Sequence, residues 1–301
     1  MSRPHATAPY NAPVSTILGE RIEELRSDRQ HGGSWMARRA VEALAEVAEQ
    51  PSDSSEALLE SLVSAGRELA ESRPGVGAVA GAVGRLLAAA SGNVQLEVDQ
   101  LRQLVREEAE SLVDGRRRAA AAIAIQLRER LEDAVVLTHS ASATVREALL
   151  LTPPERVICT VSSPQDEGRP FSEELREAGL QVELVEDDHA PQQLEWASLL
   201  LVGADTVFRC GTVSNKAGTH ALAEAAADQG VPTVVACEVI KIAPMDASDA
   251  DLEHGLFDLT PPELIEHVVT EEGAYLAEEI RALVDRTPFL QEGYALLSKP
   301  T

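Results

Sequence analysis

Asp205, Asn215, Lys216, Glu238 and Lys241 lie in polar stretches that follow short apolar runs, where carboxylates, an amide and two ammonium groups could bind a phosphorylated or other anionic ligand. The chain has only three lysines, Lys216, Lys241 and Lys299, and arginine supplies the rest of its basic residues. Lys216 lies in Asn215-Lys216-Ala217-Gly218-Thr219 and Lys241 follows Glu238 by three positions. A compact ammonium is not interchangeable with a planar guanidinium fork, so lysine at these two places is informative. A helix beginning near Asn215 would turn free backbone N–H groups and its positive dipole end outward beside Lys216, which suits a phosphate. The blander alternative is that Asn215 only caps the helix and Lys216 is solvated. A further polar group, Thr138-His139-Ser140-Ala141-Ser142, follows an earlier apolar run. No G-x-G-x-x-G comes after that run, so a dinucleotide fingerprint is missing and no cofactor is expected.

These residues need elements to hold them. From Val14 to Glu132 apolar residues recur at three- and four-residue steps, as in Val41, Leu44 and Val47, which predicts helices. Ser52-Asp53-Ser54-Ser55 supplies an N-cap signal and Pro74-Gly75 a break. Residues 93–131 predict two helices joined near Asp114-Gly115. Beyond Asp133 the character changes to apolar runs at 134–138, 156–161, 182–185, 199–202 and 233–236. Helical stretches at 142–150, 172–178 and 216–229 separate most of them. Strands without polar alternation, spaced by helices, predict a parallel sheet covered on both faces. The expected fold class is therefore α/β: an all-α domain over 1–132, opened by a mobile arm at 1–14, then a doubly wound Rossmann-like domain over 133–301. Ligands bind such sheets beyond the carboxyl ends of the strands, so Asp205, Asn215, Lys216 and Lys241 are expected to line one cavity there.

The chain has 301 residues and a formal charge of −24. Residues 1–132 carry 20 acidic and 16 basic side chains, and the remainder 30 and 10. Such an acidic excess, with few lysines and little aromatic content, is the trade of solubility against self-repulsion used by halophiles. Neither half offers a basic platform, which argues against direct nucleic-acid binding. Arg116-Arg117-Arg118 reads as a solvated or interdomain face. Three cysteines without a CxxC pair support neither a disulfide framework nor a zinc site. Cys159 and Cys210, in or beside apolar runs, read as buried thiols, and Glu186-Asp187-Asp188-His189 as an acidic loop. No apolar run reaches the ~18 residues of a membrane span. The expectation is a cytoplasmic protein with no membrane partner and no bound metal.

Gly203-Ala204-Asp205, Asn215-Lys216-x-Gly218-Thr219, Glu238-x-x-Lys241 and Phe257-Asp258-Leu259-Thr260-Pro261-Pro262-Glu263-Leu264-Ile265 occur in this order. Together with Arg73-Pro74 and Thr138-His139-Ser140, they resemble one family. It comprises the α, β and δ regulatory subunits of eukaryotic translation initiation factor 2B, their archaeal relatives, and isomerases of ribose 1,5-bisphosphate and 5-methylthioribose 1-phosphate. The resemblance implies a catalytic aspartate at Asp205 and a catalytic cysteine at the position of Ser140. A serine hydroxyl is a weaker acid than a thiol and stays protonated unless a base activates it. The isomerase's N-terminal arginine–glycine phosphate clamp resembles the stretch Arg29 to Ser34, with His31 in the arginine's place before Gly32 and Gly33. Its Thr-Glu-x-Arg-Pro segment is here Thr160-Val161-Ser162-Ser163-Pro164, without the glutamate or the arginine.

The leading expectation is thus a non-catalytic or weakly catalytic relative that binds a sugar phosphate or nucleotide. Asn215, Lys216, Lys241, Glu238, His31, Gly32 and Gly33 would do the binding, with Ser140 and His31 near the rim. The alternative is a ribose-1,5-bisphosphate isomerase using Asp205 and Ser140, and a third class is an interaction subunit with a vestigial pocket. The resemblance also implies dimers through the C-terminal domains, with stacking into a hexamer as a further level. Phe289, Leu290 and Tyr294 could form that interface, or could seal the chain's own core.

Overall fold

The computed structural model describes residues 14–29, 31–250, 252 and 255–298. The arm expected at 1–14 lies, apart from Val14, outside these residues, as does Lys299. Five helices come first: α1 (Val14–Ser27), α2 (Gly33–Ala48), α3 (Ser55–Glu71), α4 (Gly77–Ser91) and α5 (Val98–Leu131). The Ser54 side chain caps α3 by accepting from the Ala57 N–H at 3.2 Å. Helix α4 is built from Gly, Ala, Val and Leu and is buried almost all round, so its neighbours approach its backbone closely. A Cβ on Gly81 would collide with the carbonyl oxygen of Ile240.

Helix α5 is a single element, where two were expected. A glycine inside a helix costs only about 1 kcal/mol, and packing at both ends outweighs it. Leu101, Val105 and Ala109 join the helical core. Ile123, Ala124, Leu127 and Leu131 join the core under the sheet, beside Val136, Val157 and Leu201.

After α5 come β1 (Val135–Thr138), α6 (Ala143–Leu151), β2 (Arg156–Thr160), α7 (Gly168–Glu177), β3 (Val182–Val185), α8 (Ala190–Gln193) and β4 (Leu199–Val202). Then follow β5 (Thr206–Phe208), β6 (Val213–Lys216), α9 (Thr219–Asp228), β7 (Thr233–Ala236), β8 (Ile242–Ala243), β9 (Phe257–Thr260), β10 (His267–Thr270) and β11 (Gly273–Tyr275), with α10 (Ile280–Asp285) and α11 (Pro288–Leu297) closing the described chain. The main sheet has the order β11-β10-β7-β4-β1-β2-β3 and is parallel except for β11. The order reverses between β1 and β4, which makes the crevice beyond their carboxyl ends the switch point of a doubly wound sheet. A small second sheet, β8-β5-β6-β9, stands beside it.

That second sheet corrects the reading of 216–229 as helix. Asn215 and Lys216 are strand residues, paired with Asp258 and Phe257, and α9 starts only at Thr219. Gly218, at φ 107°, makes the turn between them. The C-terminal segment packs on the chain itself and leaves Phe289 and Tyr294 half-buried. Leu290 is buried in the sheet core and Phe289 packs against it, with the Arg85 guanidinium 5.5 Å above the Phe289 ring.

Candidate functional site

Two strand ends meet at the switch point. Behind β1, Ser140 adopts φ 69°, a left-handed conformation that non-glycine residues seldom take. Its N–H donates to Ser162 Oγ at 2.8 Å. Behind β4, Gly203 and Ala204 lead to Asp205, whose own N–H donates to the Ser214 carbonyl at 2.9 Å. Gly203 has to lack a side chain, because a Cβ there would sit 2.5 Å from Ser142 Oγ. Ser142 in turn caps α6, accepting from Val145 N–H at 3.3 Å.

His139, the neighbour of Ser140, points away from it. Its Nε2 is 3.0 Å from the Ala217 carbonyl, which can only accept, so Nε2 carries the proton. Nδ1, 2.7 Å from Thr160 Oγ1, then accepts from that hydroxyl. Burial pushes the His139 pKa down, in keeping with a neutral ring that braces the β1 end.

The base that does reach Ser140 is one the sequence reading missed. Ser140 Oγ donates to Glu167 Oε1 at 3.0 Å, and Lys216 Nζ donates to Glu167 Oε2 at 3.0 Å. Lys216 Nζ is also bonded to the side-chain oxygen of Gln165. Glu167 immediately precedes α7, and Gly168 lets it come so close: a Cβ on Gly168 would strike the Thr160 carbonyl oxygen. The Glu167-Gly168 pair behind a strand end was the available signal.

A cavity of about 140 Å³ opens over these groups. Asp205, Lys216, Ser140, His31, Gly32 and Gly33 line it, joined by Arg73, Gln165 and Glu167. Gly33, at the start of α2, would place a Cβ 3.8 Å from Asp205 Oδ1. His31 stands at the exposed edge, stacked on Trp35 at 4.1 Å between centroids, with Nδ1 2.7 Å from Asp28 Oδ2. Asp205 is half-buried at the cavity wall, and burial pushes its carboxyl pKa up to about 6 against the pull of Lys241 and Arg73, with Glu167 adding to the rise.

Three expected residues do not line this cavity. Asn215 is buried and donates to Thr219 Oγ1 at 3.0 Å, bracing the turn into α9. Lys241 lies behind Asp205, donating to the Ala204 carbonyl at 2.9 Å. Glu238 accepts from Thr144 Oγ1 at 3.1 Å and faces a different cavity. The N-terminus of α9 is not an open anion site either. Asp258 on β9 already accepts there from Gly218 N–H at 2.7 Å and His220 N–H at 3.2 Å.

The remaining candidates fall out simply. Cys159 is buried, and burial pushes its thiol up to about 12. Cys210 is half-buried and donates to Thr212 Oγ1 at 3.2 Å. Asp187 accepts from the Ser162 and Ser163 N–H groups, each at 2.7 Å, so its loop is a brace. No group of three or more His, Cys, Asp or Glu among the described residues could hold a metal ion. None of the described helices is long and apolar enough to cross a membrane.

The arrangement has clear counterparts. Residues 29–254 match the model of the initiation factor 2 subunit family. A translation initiation factor eIF-2B subunit 2-like protein of Pyrococcus abyssi is 32% identical over 273 residues, covering 84% of this chain and 94% of its own. The ribose 1,5-bisphosphate isomerase of Archaeoglobus fulgidus is 29% identical over 282 residues, covering 85% and 88%. The crystal structure of the translation initiation factor eIF-2B of Pyrococcus horikoshii OT3 aligns with a TM-score of 0.75 at 27% identity, over 86% of this chain and 96% of that one. With three-quarters of its length matched by the family model and its helical and parallel-sheet parts shared with solved relatives, the chain belongs to the initiation factor 2 subunit family.

Proposed function

We propose that this chain is a ligand-binding, non-catalytic or weakly catalytic family member, holding a sugar phosphate or nucleotide in the cavity over Asp205 and Lys216. The observation that carries this reading is the double engagement of Glu167. One carboxylate holds both the hydroxyl at the isomerase cysteine position and the lysine of the phosphate-binding motif. A serine stays protonated at neutral pH unless a base takes its proton, and this base already bears the Lys216 ammonium. A phosphate approaching Lys216 has to displace Glu167 and Gln165 from it. The volume of about 140 Å³, below the ~300–1,000 Å³ of small-molecule sites, is consistent with those two side chains reaching across. Asn215 and Lys241 support the site from behind by bracing Lys216 and Asp205. The reading includes a cytoplasmic homodimer, the commonest closed assembly, capable of stacking into a hexamer.

One observation favours a second reading, a ribose-1,5-bisphosphate isomerase acting in nucleotide salvage. Asp205, with its pKa raised to about 6, is tuned for proton exchange near neutral pH, and Glu167 offers Ser140 a base. Asp205 and Ser140 would then occupy the reacting positions of an aldose–ketose isomerisation. Calorimetry and product analysis with ribose 1,5-bisphosphate at molar salt separate the two. Binding without turnover supports the first reading. Turnover abolished by Asp205→Asn and raised by Ser140→Cys supports the second. Absence of both binding and turnover leaves the interaction-subunit class.

A further inference from the structure

A second and larger cavity, of about 520 Å³, lies between α2, α4, α5 and the turn Val239–Lys241. Arg38, Arg85, Arg116, Arg117 and Arg118 line it, in a chain of net charge −24. Three carboxylates, those of Asp114, Glu238 and Glu271, stand against the five guanidinium groups. Arg38 is already committed to Glu42 at 2.7 Å and Arg85 to Glu108 at 2.8 Å. Arg116, Arg117 and Arg118 are exposed and make no ion pair or side-chain hydrogen bond among the described residues.

Helix geometry sorts these three. Successive residues are about 100° apart, so Leu112, Gly115, Ala119 and Ala122 form the stripe facing the cavity. Arg116 and Arg118 fall on its two flanks, and the Arg118 guanidinium reaches back over Gly115, its Nη2 3.7 Å from where a Cβ would stand. Arg117 points furthest from the stripe.

A second observation comes from the cavity's wall. Glu238 is 3% exposed and lines the cavity, yet its Oε2 has no hydrogen-bond partner. Lys241 Nζ stands 3.5 Å from it. Burial works against the charge of Glu238, but Lys241, its own backbone N–H, Arg116 and Thr144 hold its pKa below the usual carboxylate range. Lys241 thus offsets the charge of Oε2 as an ion pair without completing a hydrogen bond, and a buried acceptor left short of one is satisfied when a donor arrives. Glu271, half-buried on the same wall, accepts the Val239 N–H at 3.0 Å with one oxygen.

We propose that this cavity is a second ligand site, which takes a phosphomonoester whose body carries hydroxyl or amine donors. The phosphate sits between Arg116 and Arg118, where guanidinium groups can bind its oxygens in pairs. The body lies along Ala37, Val41, Ala82 and Leu112, and one donor reaches Glu238 Oε2 once the carboxylate turns from Lys241 toward the cavity. The volume is within the ~300–1,000 Å³ of small-molecule sites. Inorganic phosphate satisfies only the arginines and is the weaker ligand.

Titration calorimetry of the full chain with ribose 5-phosphate and with inorganic phosphate tests this. The variants are Arg116→Gln/Arg118→Gln, Glu238→Gln and Lys216→Ala. The arginine pair is exposed, so its replacement leaves the fold in place. We expect the arginine variant to lose one class of ribose 5-phosphate sites, weakened about tenfold or more, while Lys216→Ala keeps that class. Glu238→Gln should lose the preference for ribose 5-phosphate over inorganic phosphate. An arginine variant with an unchanged isotherm overturns the proposal. So does loss of all binding in Lys216→Ala, which would place every ligand in the smaller cavity, or a wild-type protein that takes up no ribose 5-phosphate.

Discussion

Glu167 accepts the Ser140 hydroxyl at 3.0 Å with one carboxylate oxygen while the other receives Lys216 at 3.0 Å. One side chain thus ties Ser140, behind β1, to Lys216 at the end of β6. Removing either partner of the Lys216 pair should act in opposite directions on ligand binding. Glu167→Gln frees the ammonium and is expected to tighten ribose 5-phosphate binding about three- to tenfold. Lys216→Ala should weaken it by roughly the 1.5–3 kcal/mol of a hydrogen bond to a charged group. Calorimetry in the same buffer reads both, and shifts in the same direction for the two variants would contradict the arrangement.

The raised pKa of Asp205 makes a prediction about stability and pH. Its value is about 6 in the folded chain against 3.8 when unperturbed. Between those values the folded state binds more protons than the unfolded one, so this group's contribution falls as pH rises. Asp205→Asn removes that penalty. The variant should melt close to wild type near pH 4 and above it near pH 7.5. Comparing the two melting temperatures at each pH cancels the other titrating groups, and a constant difference would refute the assignment.

Gly293 on α11 lies against Gly84 on α4 with no room for a side chain. A Cβ on Gly293 would sit 2.5 Å from the Gly84 backbone. Gly293→Ala should therefore destabilise the chain by about 1–3 kcal/mol, the usual effect of overpacking. Chemical denaturation measures it, and an unchanged midpoint would show that α11 does not dock on α4 in solution.

Charge repulsion predicts a strong dependence on salt. At about 0.01 M the Debye length is roughly 30 Å and at about 1 M roughly 3 Å, so raising salt over that range screens the net charge of −24. The melting temperature should rise markedly. A flat profile would remove the halophilic interpretation.

Light scattering at molar salt should give at least twice the chain mass of 32.2 kDa. Because Leu290 and Phe289 serve the chain's own core, Phe289→Ala is expected to lower stability while leaving the assembled mass unchanged. A clean monomer in the wild type would sink the dimer, and a mass halved by Phe289→Ala would return this segment to the interface.

Much of the architecture was legible from local pattern. The apolar steps of α2, the Ser54 cap of α3 and the unbroken apolar runs of β1, β2, β4 and β7 are each encoded by neighbours in the chain, because periodicity and capping act over a few residues. The polar residues behind β1 and β4 could likewise be picked out as site candidates. The tertiary structure decided what those residues do. Val213-Ser214-Asn215-Lys216 has no strand-like apolar run, and it becomes a strand only by pairing with Phe257–Thr260, more than forty positions away. That pairing buries Asn215, aims Lys216 at Glu167 and moves the start of α9 to Thr219, where Asp258 fills the anion position. Helix α5 stays whole through Gly115 because its two halves are held by different cores. Glu238 and Lys241 are three residues apart, yet only their packing turns Glu238 toward the larger cavity and Lys241 toward Asp205. Composition and spacing select which groups are present, whereas closure of long-range strand pairs and helix packing sets which of them meet.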